Sequence, residues 1–347
     1  VLVDSPPEQR AETAPAPPNR RAIRAFGLLV SLVILVLVAL ASIAIGAKAL
    51  SIGEVWHGLF EDSGTYGDVV VADRLSRTVL GLLAGAALGL SGAVLQALTR
   101  NPLADPGLLG INAGASAAVV TAISFFGVTS LSGYVWFAFI GAAAVGAIVW
   151  FLGGSRGATP VRLALAGTAI SAALYGYLQA VMILDDAALA RMRFWTVGSL
   201  ASASNAAILQ VLPFLAVGTV LALVLARPLN AMAMGDDTAK ALGANLNRTR
   251  ALAMLSATVL CGAATAACGP IMFVGLMVPH VVRSFTGPDL RWILPYATIL
   301  SPVLLLGSDV IGRIVARPSE LQVGIVTAII GGPVFIYLVR RRRTAQL

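Results

Sequence analysis

Stretches of about twenty consecutive apolar residues recur from Phe26 almost to the end of the chain, and no other feature constrains the fold so strongly. A helix rises about 1.5 Å per residue, so each stretch can cross a hydrocarbon layer roughly 30 Å thick. A soluble protein can hide one such helix in its core, but not a whole series. A membrane β-barrel needs segments of about ten residues that alternate apolar and polar, and these stretches do not alternate. Hydrophobic residues make up 58% of the 347 and charged residues only 12%, against about 25% charged in soluble domains. The fold class is an all-α integral membrane protein.

The expected spans are 26–47, 78–98, 108–127, 134–152, 161–184, 206–226, 247–268, 271–286, 293–315 and 322–340, about ten transmembrane helices by run length. Residues 1–25 are rich in Pro, Ala and Arg without apolar periodicity, so they read as a disordered tail. Residues 26–340 form the membrane domain, and 341–347 a basic tail. The first run exceeds the roughly 7–15 residues of a secretory signal core, which makes it an uncleaved span.

Charge placement orients the chain. The N-terminal tail carries Arg10, Arg20, Arg21 and Arg24, and the C-terminus carries Arg340, Arg341, Arg342 and Arg343. Cytoplasmic loops are enriched in Lys and Arg, so both termini are expected to be cytoplasmic, which requires an even number of spans. On that topology only Lys48, Arg74, Arg77, Arg191, Arg193, Arg313 and Arg317 of the 24 basic residues face outward. The same distribution argues against nucleic acid, whose grooves need cations clustered with aromatics on one face. The net charge of +8 is a topology signal.

Several chemistries are missing. The only lysines, Lys48 and Lys240, each follow alanine, whereas a phosphate-binding P-loop needs Gly-Lys-Ser/Thr. Cys261 and Cys268 share a helix face with no further cysteine or nearby histidine, so they are packing residues and not a zinc site. No metal site, cofactor or catalytic residue is expected. A proton-coupled transporter would need ionisable groups deep in its spans. Asp309 is the main one, and Arg313 four residues later favours an intrahelical ion pair. Gly307-Ser308-Asp309 has a loose likeness to an intramembrane aspartyl protease, but a second membrane aspartate in a matching context is missing. The stripe Gly81, Gly85, Gly89 lets helices approach closely. The segment from Cys268-Gly269-Pro270 to Pro279-His280 is a short span bounded by helix breakers, of the kind that often borders transport paths, and a re-entrant segment would have the same pattern.

Thr99-Arg100-Asn101-Pro102-Leu103-Ala104-Asp105-Pro106-Gly107-Leu108-Leu109-Gly110 with Asn112-Ala113-Gly114-Ala115 resembles the signature of the FecCD family. Gly269–Leu276, Pro279–Arg283, Ser308–Arg313 and Val323–Thr327 follow in the family's order. These are permeases of iron-siderophore and vitamin B12 ABC importers, and the resemblance covers about residues 30–340. It implies a type II, BtuC-like importer permease in the bacterial inner membrane. Its implied partners are ABC ATPase subunits, an extracellular substrate-binding protein, a paralogous second permease forming a heterodimer, and membrane lipid. Met192–Leu200 and Thr99–Ala115 look most like the ferric-enterobactin permeases, which implies a ferric siderophore. Cobalamin or haem import, a secondary transporter and an intramembrane enzyme are the rival readings.

The resemblance also assigns roles. Arg74-Leu75-Ser76-Arg77 is similar to the family's Arg-Leu-Pro-Arg, with Ser76 in place of proline. In the family these arginines and the one matching Arg313 dock glutamates of the binding protein. Internal pairing with Asp73 or Asp309 is the competing role, and Arg317 is a further candidate without a motif match. Gly235-Asp236-Asp237-Thr238-Ala239-Lys240-Ala241-Leu242-Gly243 resembles the segment that couples to the ATPase, which singles out Gly235, Asp236, Asp237, Ala239, Leu242 and Gly243. Asp236 or Asp237 is expected to cap a short helix there and Gly243 to end it.

Overall fold

The computed structural model describes residues 20–46, 51–60, 66–154 and 160–344. The expected tail therefore lies outside the described residues up to position 19, as do 345–347. Fourteen helices follow in order: α1 (Arg20–Ala44), α2 (Ile52–Phe60), α3 (Tyr66–Thr99), α4 (Ile111–Phe126), α5 (Leu131–Gly154), α6 (Pro160–Leu184) and α7 (Asp186–Trp195); then α8 (Asn205–Val224), α9 (Ala226–Ala233), α10 (Asp236–Ala241), α11 (Leu246–Cys268), α12 (Val274–Thr286), α13 (Leu290–Val315) and α14 (Val323–Thr344). Among the described residues no strand occurs.

Seven helices are long and apolar enough to cross a membrane: α1, α3, α5, α6, α8, α11 and α13. Helices α4, α12 and α14 occupy the other three expected spans. Residues 20–25, expected in the tail, are already helical, and α14 carries its helix through Arg340 to Thr344. The short α2, α7 and α9 lie in segments read as connections.

The largest departure is α3. Its apolar run starts at Thr78, yet the helix starts at Tyr66 and has 34 residues, a length of about 50 Å. Asp73, Arg74 and Arg77 interrupt the apolar run but not the helix, because Arg74 and Arg77 find partners inside the protein. The helix is central: 78% of its apolar window is buried, against 17% for α1 and α6. Helices α1, α11, α12 and α13 pack around it. The glycine stripe of α3 packs against α13, where a Cβ added at Gly85 would stand 2.7 Å from the Pro302 Cα. Side-chain volume there would push two backbones apart, so the packing role holds.

The broken segment is real. Helix α11 ends at Cys268, Gly269 and Phe273 take positive φ (73° and 70°), and α12 restarts at Val274 and continues through Pro279. Thirteen residues give α12 about 20 Å, less than a bilayer core. Cys261 and Cys268 are both buried, and Cys268 Sγ donates to Ala264 O at 2.9 Å. Among the described residues no group of His, Cys, Asp or Glu could hold a metal.

Helices α1, α3 and α13 run between the same two ends of the molecule. One end gathers Arg24, whose carbonyl accepts from Tyr296 Oη at 2.6 Å, with Arg100, α9, α10 and Asp289. The other gathers the end of α1, Arg74, Arg77, Arg313 and residues 316–322. Arg24 and Arg100 thus fall at one end and Arg74, Arg77 and Arg313 at the other, as the alternating topology requires.

Candidate functional site

The end bearing Arg77 is a charge cluster built from three helices and a loop. Arg74 on α3 donates through Nη1 to the carbonyls of Ile43 and Ala44, both at 3.0 Å. These are acceptors that the last turn of α1 leaves without intrahelical donors. One turn on, Arg77 grips Asp309 with one edge of its guanidinium, Nε to Oδ2 at 3.0 Å and Nη2 to Oδ1 at 2.7 Å. Its Nη1 donates to Glu320 Oε2 at 2.7 Å. Arg313, one turn after Asp309 on α13, reaches the same carboxylate at 3.0 Å. It also donates to the Ser42 carbonyl at 2.9 Å and to Ser42 Oγ at 3.1 Å. Asp309 thus bridges α3 and α13, and Arg313 extends the network to α1.

All three arginines named from the sequence lie together, and all three are buried: Arg74 is 7%, Arg77 6% and Arg313 1% exposed. The intrahelical Asp309–Arg313 pair is present, and Asp309 rather than Asp73 is the shared counter-ion. Arg317 is exposed and donates to Gly46 O at 2.7 Å. Sequence reasoning missed Glu320, whose one visible signal is that it is the sole acidic residue after Asp309.

At the opposite end the segment after α9 folds as the short helix α10. Gly235 (φ 112°) is its N-cap and no side chain caps it, so neither Asp236 nor Asp237 has the expected capping role. Asp236 has a stronger pull elsewhere: it pairs with Arg100, just past α3, and with Arg250 on α11 at 2.6 Å. Burial opposes its ionisation, but these two guanidinium contacts prevail and hold its carboxyl below the usual range. Asp237 pairs with Lys240, at 3.7 Å on the exposed face. Gly243 does end the helix. It takes φ 82°, its N–H donates to Lys240 O, and Ala244 N–H donates to Ala239 O, both at 2.9 Å, a Schellman closure after the Leu242 C-cap. Buried Ala239 holds α10 to the body, while Leu242 is exposed and apolar.

The Thr99–Gly110 motif forms the turn between α3 and α4. Asn101 accepts Leu103 N–H through its side chain, and Asp105 caps a 3-10 turn (Pro106–Leu109) by accepting Gly107 N–H at 2.7 Å. Asp105, Asn112, Thr168, Ser171, Tyr175 and Phe335 border a cavity of about 450 Å³ between the α3–α4 turn, α4, α6, the broken segment and α14. Burial pushes the Asp105 carboxyl up to about 6, against the Gly107 N–H that favours the anion.

The FecCD transport family matches residues 34–341. The chain is 46% identical to the ferric enterobactin transport system permease protein FepD of Escherichia coli (strain K12) over 327 residues, covering 93% of this chain and 96% of that one. It is 39% identical to the Fe(3+)-citrate import system permease protein YfmD of Bacillus subtilis (strain 168), covering 94% and 98%. A solved inward-facing conformation of a metal-chelate type ABC transporter superposes with a TM-score of 0.80 at 28% identity, covering 93% of this chain and 99% of that one.

Proposed function

Because this multi-pass chain belongs to the FecCD transport family of ABC importer permeases, we propose that it carries a ferric siderophore across the bacterial inner membrane into the cytoplasm. The observation that carries the siderophore reading is the near full-length identity with a permease named for ferric enterobactin. In this reading the Arg77 end faces outward and docks the substrate-binding protein, and α10 faces the cytoplasm. ATPase subunits receive α10 and supply the energy, consistent with a chain that has no Gly-Lys-Ser/Thr sequence. A paralogous second permease completes the passage.

Alternating access suits this architecture. The poorly covered α6 and the cavity beside it, with Thr168, Ser171, Tyr175 and Phe335 on its wall, form one side of the passage, and the second permease closes it. Hydroxyl and aromatic groups contact a catecholate chelate without anchoring it, which favours release. Of the three arginines, Arg77 is the one that meets an acidic group of the docked protein, since its Nη1 edge lies at the partly exposed Glu320 and a guanidinium offers directional contacts; Arg74 and Arg313, committed to α1 and to Asp309, hold it in place. The exposed Leu242 beside α10 gives the ATPase an apolar foothold.

Proteoliposomes holding the permease pair, the ATPase and the binding protein should accumulate radio-iron from a ferric catecholate only with ATP. Uptake of haem or cobalamin instead would transfer the chain to a sister substrate class, and uptake surviving removal of the ATPase would refute the importer mechanism.

A further inference from the structure

We propose that Glu320 is an internal stand-in for the carboxylate that the substrate-binding protein brings to Arg77, so that docking exchanges one acid for another. This rests on the docking role of the Arg77 end and adds a residue and a step to it.

The two acids on Arg77 are held very differently. Asp309 is fully buried, grips one guanidinium edge with both oxygens and is also paired with Arg313. No approaching protein can reach it. Glu320 holds the other side of the same guanidinium through Nη1 alone, at 2.7 Å, and its side chain is 35% exposed. Among the described residues Glu320 makes no hydrogen bond or ion pair besides this one. It is the one acid of the cluster that an incoming carboxylate can replace.

The loop does not depend on that contact. Leu321 N–H donates to Gly312 O at 3.3 Å, and Ser319 Oγ donates to Ala316 O at 2.8 Å, so residues 316–321 stay folded on the end of α13 when the Glu320 side chain swings away. Exposed Arg317 lies three residues before it, tied to Gly46 O through one nitrogen, and offers a second cation to the entering acid. Between docking events Glu320 thus keeps the second side of the Arg77 guanidinium matched, as Asp309 matches the first, so that no donor there is left without an acceptor. The exchange also makes docking readily reversible, because the exposed pair that forms and the one that breaks are alike.

The test measures affinity of the assembled transporter in nanodiscs for its cognate binding protein, identified as the one that stimulates its ATPase. Glu320→Gln keeps size and hydrogen bonding but removes the competing charge, and should tighten capture about three- to five-fold, in line with an exposed ion pair. Glu320→Ala should act in the same direction. Unchanged or weaker capture in both variants overturns the stand-in role. The docking reading has its own arm: Arg77→Lys keeps a cation for Asp309 but loses the second guanidinium edge, so capture should weaken. If Arg77→Lys leaves capture unchanged, the docking reading fails, whatever Glu320 does.

Discussion

Each end of α3 holds an arginine against an acid, and the two ends solve that problem in opposite ways. Around Arg77 the acid Asp309 is completely buried, two guanidiniums share it and three helices meet there. Around Arg100 the acid Asp236 is 36% exposed, and its partners Arg100 and Arg250 are 42% and 18% exposed. Buried charges lose their hydration and must be matched in full, so the first cluster acts as a staple. Half-exposed ones are screened and cheap to separate, so the second acts as a joint. In the proposed reading, where α10 is the helix that receives the ATPase, that order holds the membrane helices while α10 moves.

The comparison breaks most sharply at Asp309. Asp309→Ala leaves buried Arg313 without an acid and Arg77 with Glu320 alone and should cost about 3–5 kcal/mol, read as a large drop in melting temperature and in yield of the detergent-purified protein. A melting curve like that of the parent would show that Arg77 and Arg313 are hydrated after all. Asp236→Asn at the joint should cost no more than about 1 kcal/mol of stability. Its effect should appear in transport instead, with fewer substrate molecules moved per ATP by a normally assembled complex. Equal losses in stability and transport would erase the distinction between staple and joint.

A pH-dependent effect concerns Asp105, near the Arg100 end. Its carboxyl is raised from 3.8 to about 6 in the folded protein, so the fold favours the neutral acid. Stability should then fall as pH rises between those values and level off above about 6. Asp105→Asn keeps an N-cap acceptor and should flatten that slope in melting experiments across pH 4–7. A slope unchanged by the substitution would assign it to another group.

Much of the molecule was legible in the residues. Apolar runs located the helices, because spanning a membrane is a demand on length and composition within one segment. Gly243 was readable as a helix end, since positive φ favours glycine. Capping by Asp236 was not, because a local preference for the cap lost to two guanidiniums from α3 and α11. Charges misplaced the start of α3 for a related reason: in a chain read one segment at a time, Arg74 and Arg77 look like the end of a span.

By itself, then, the sequence determined the class of protein, the segments that become helices and, through its ordered motifs, the family. Tertiary structure alone decided which of its charges meet water. Arg77 and Asp309 are 232 positions apart and Arg100 and Asp236 are 136 apart. Desolvation and pairing depend on what lies within a few ångströms, which segment-by-segment reading cannot measure. Packing α3 between α1 and α13 turns two of its surface-like arginines into interior ones, and leaves Glu320 as the replaceable acid at the rim.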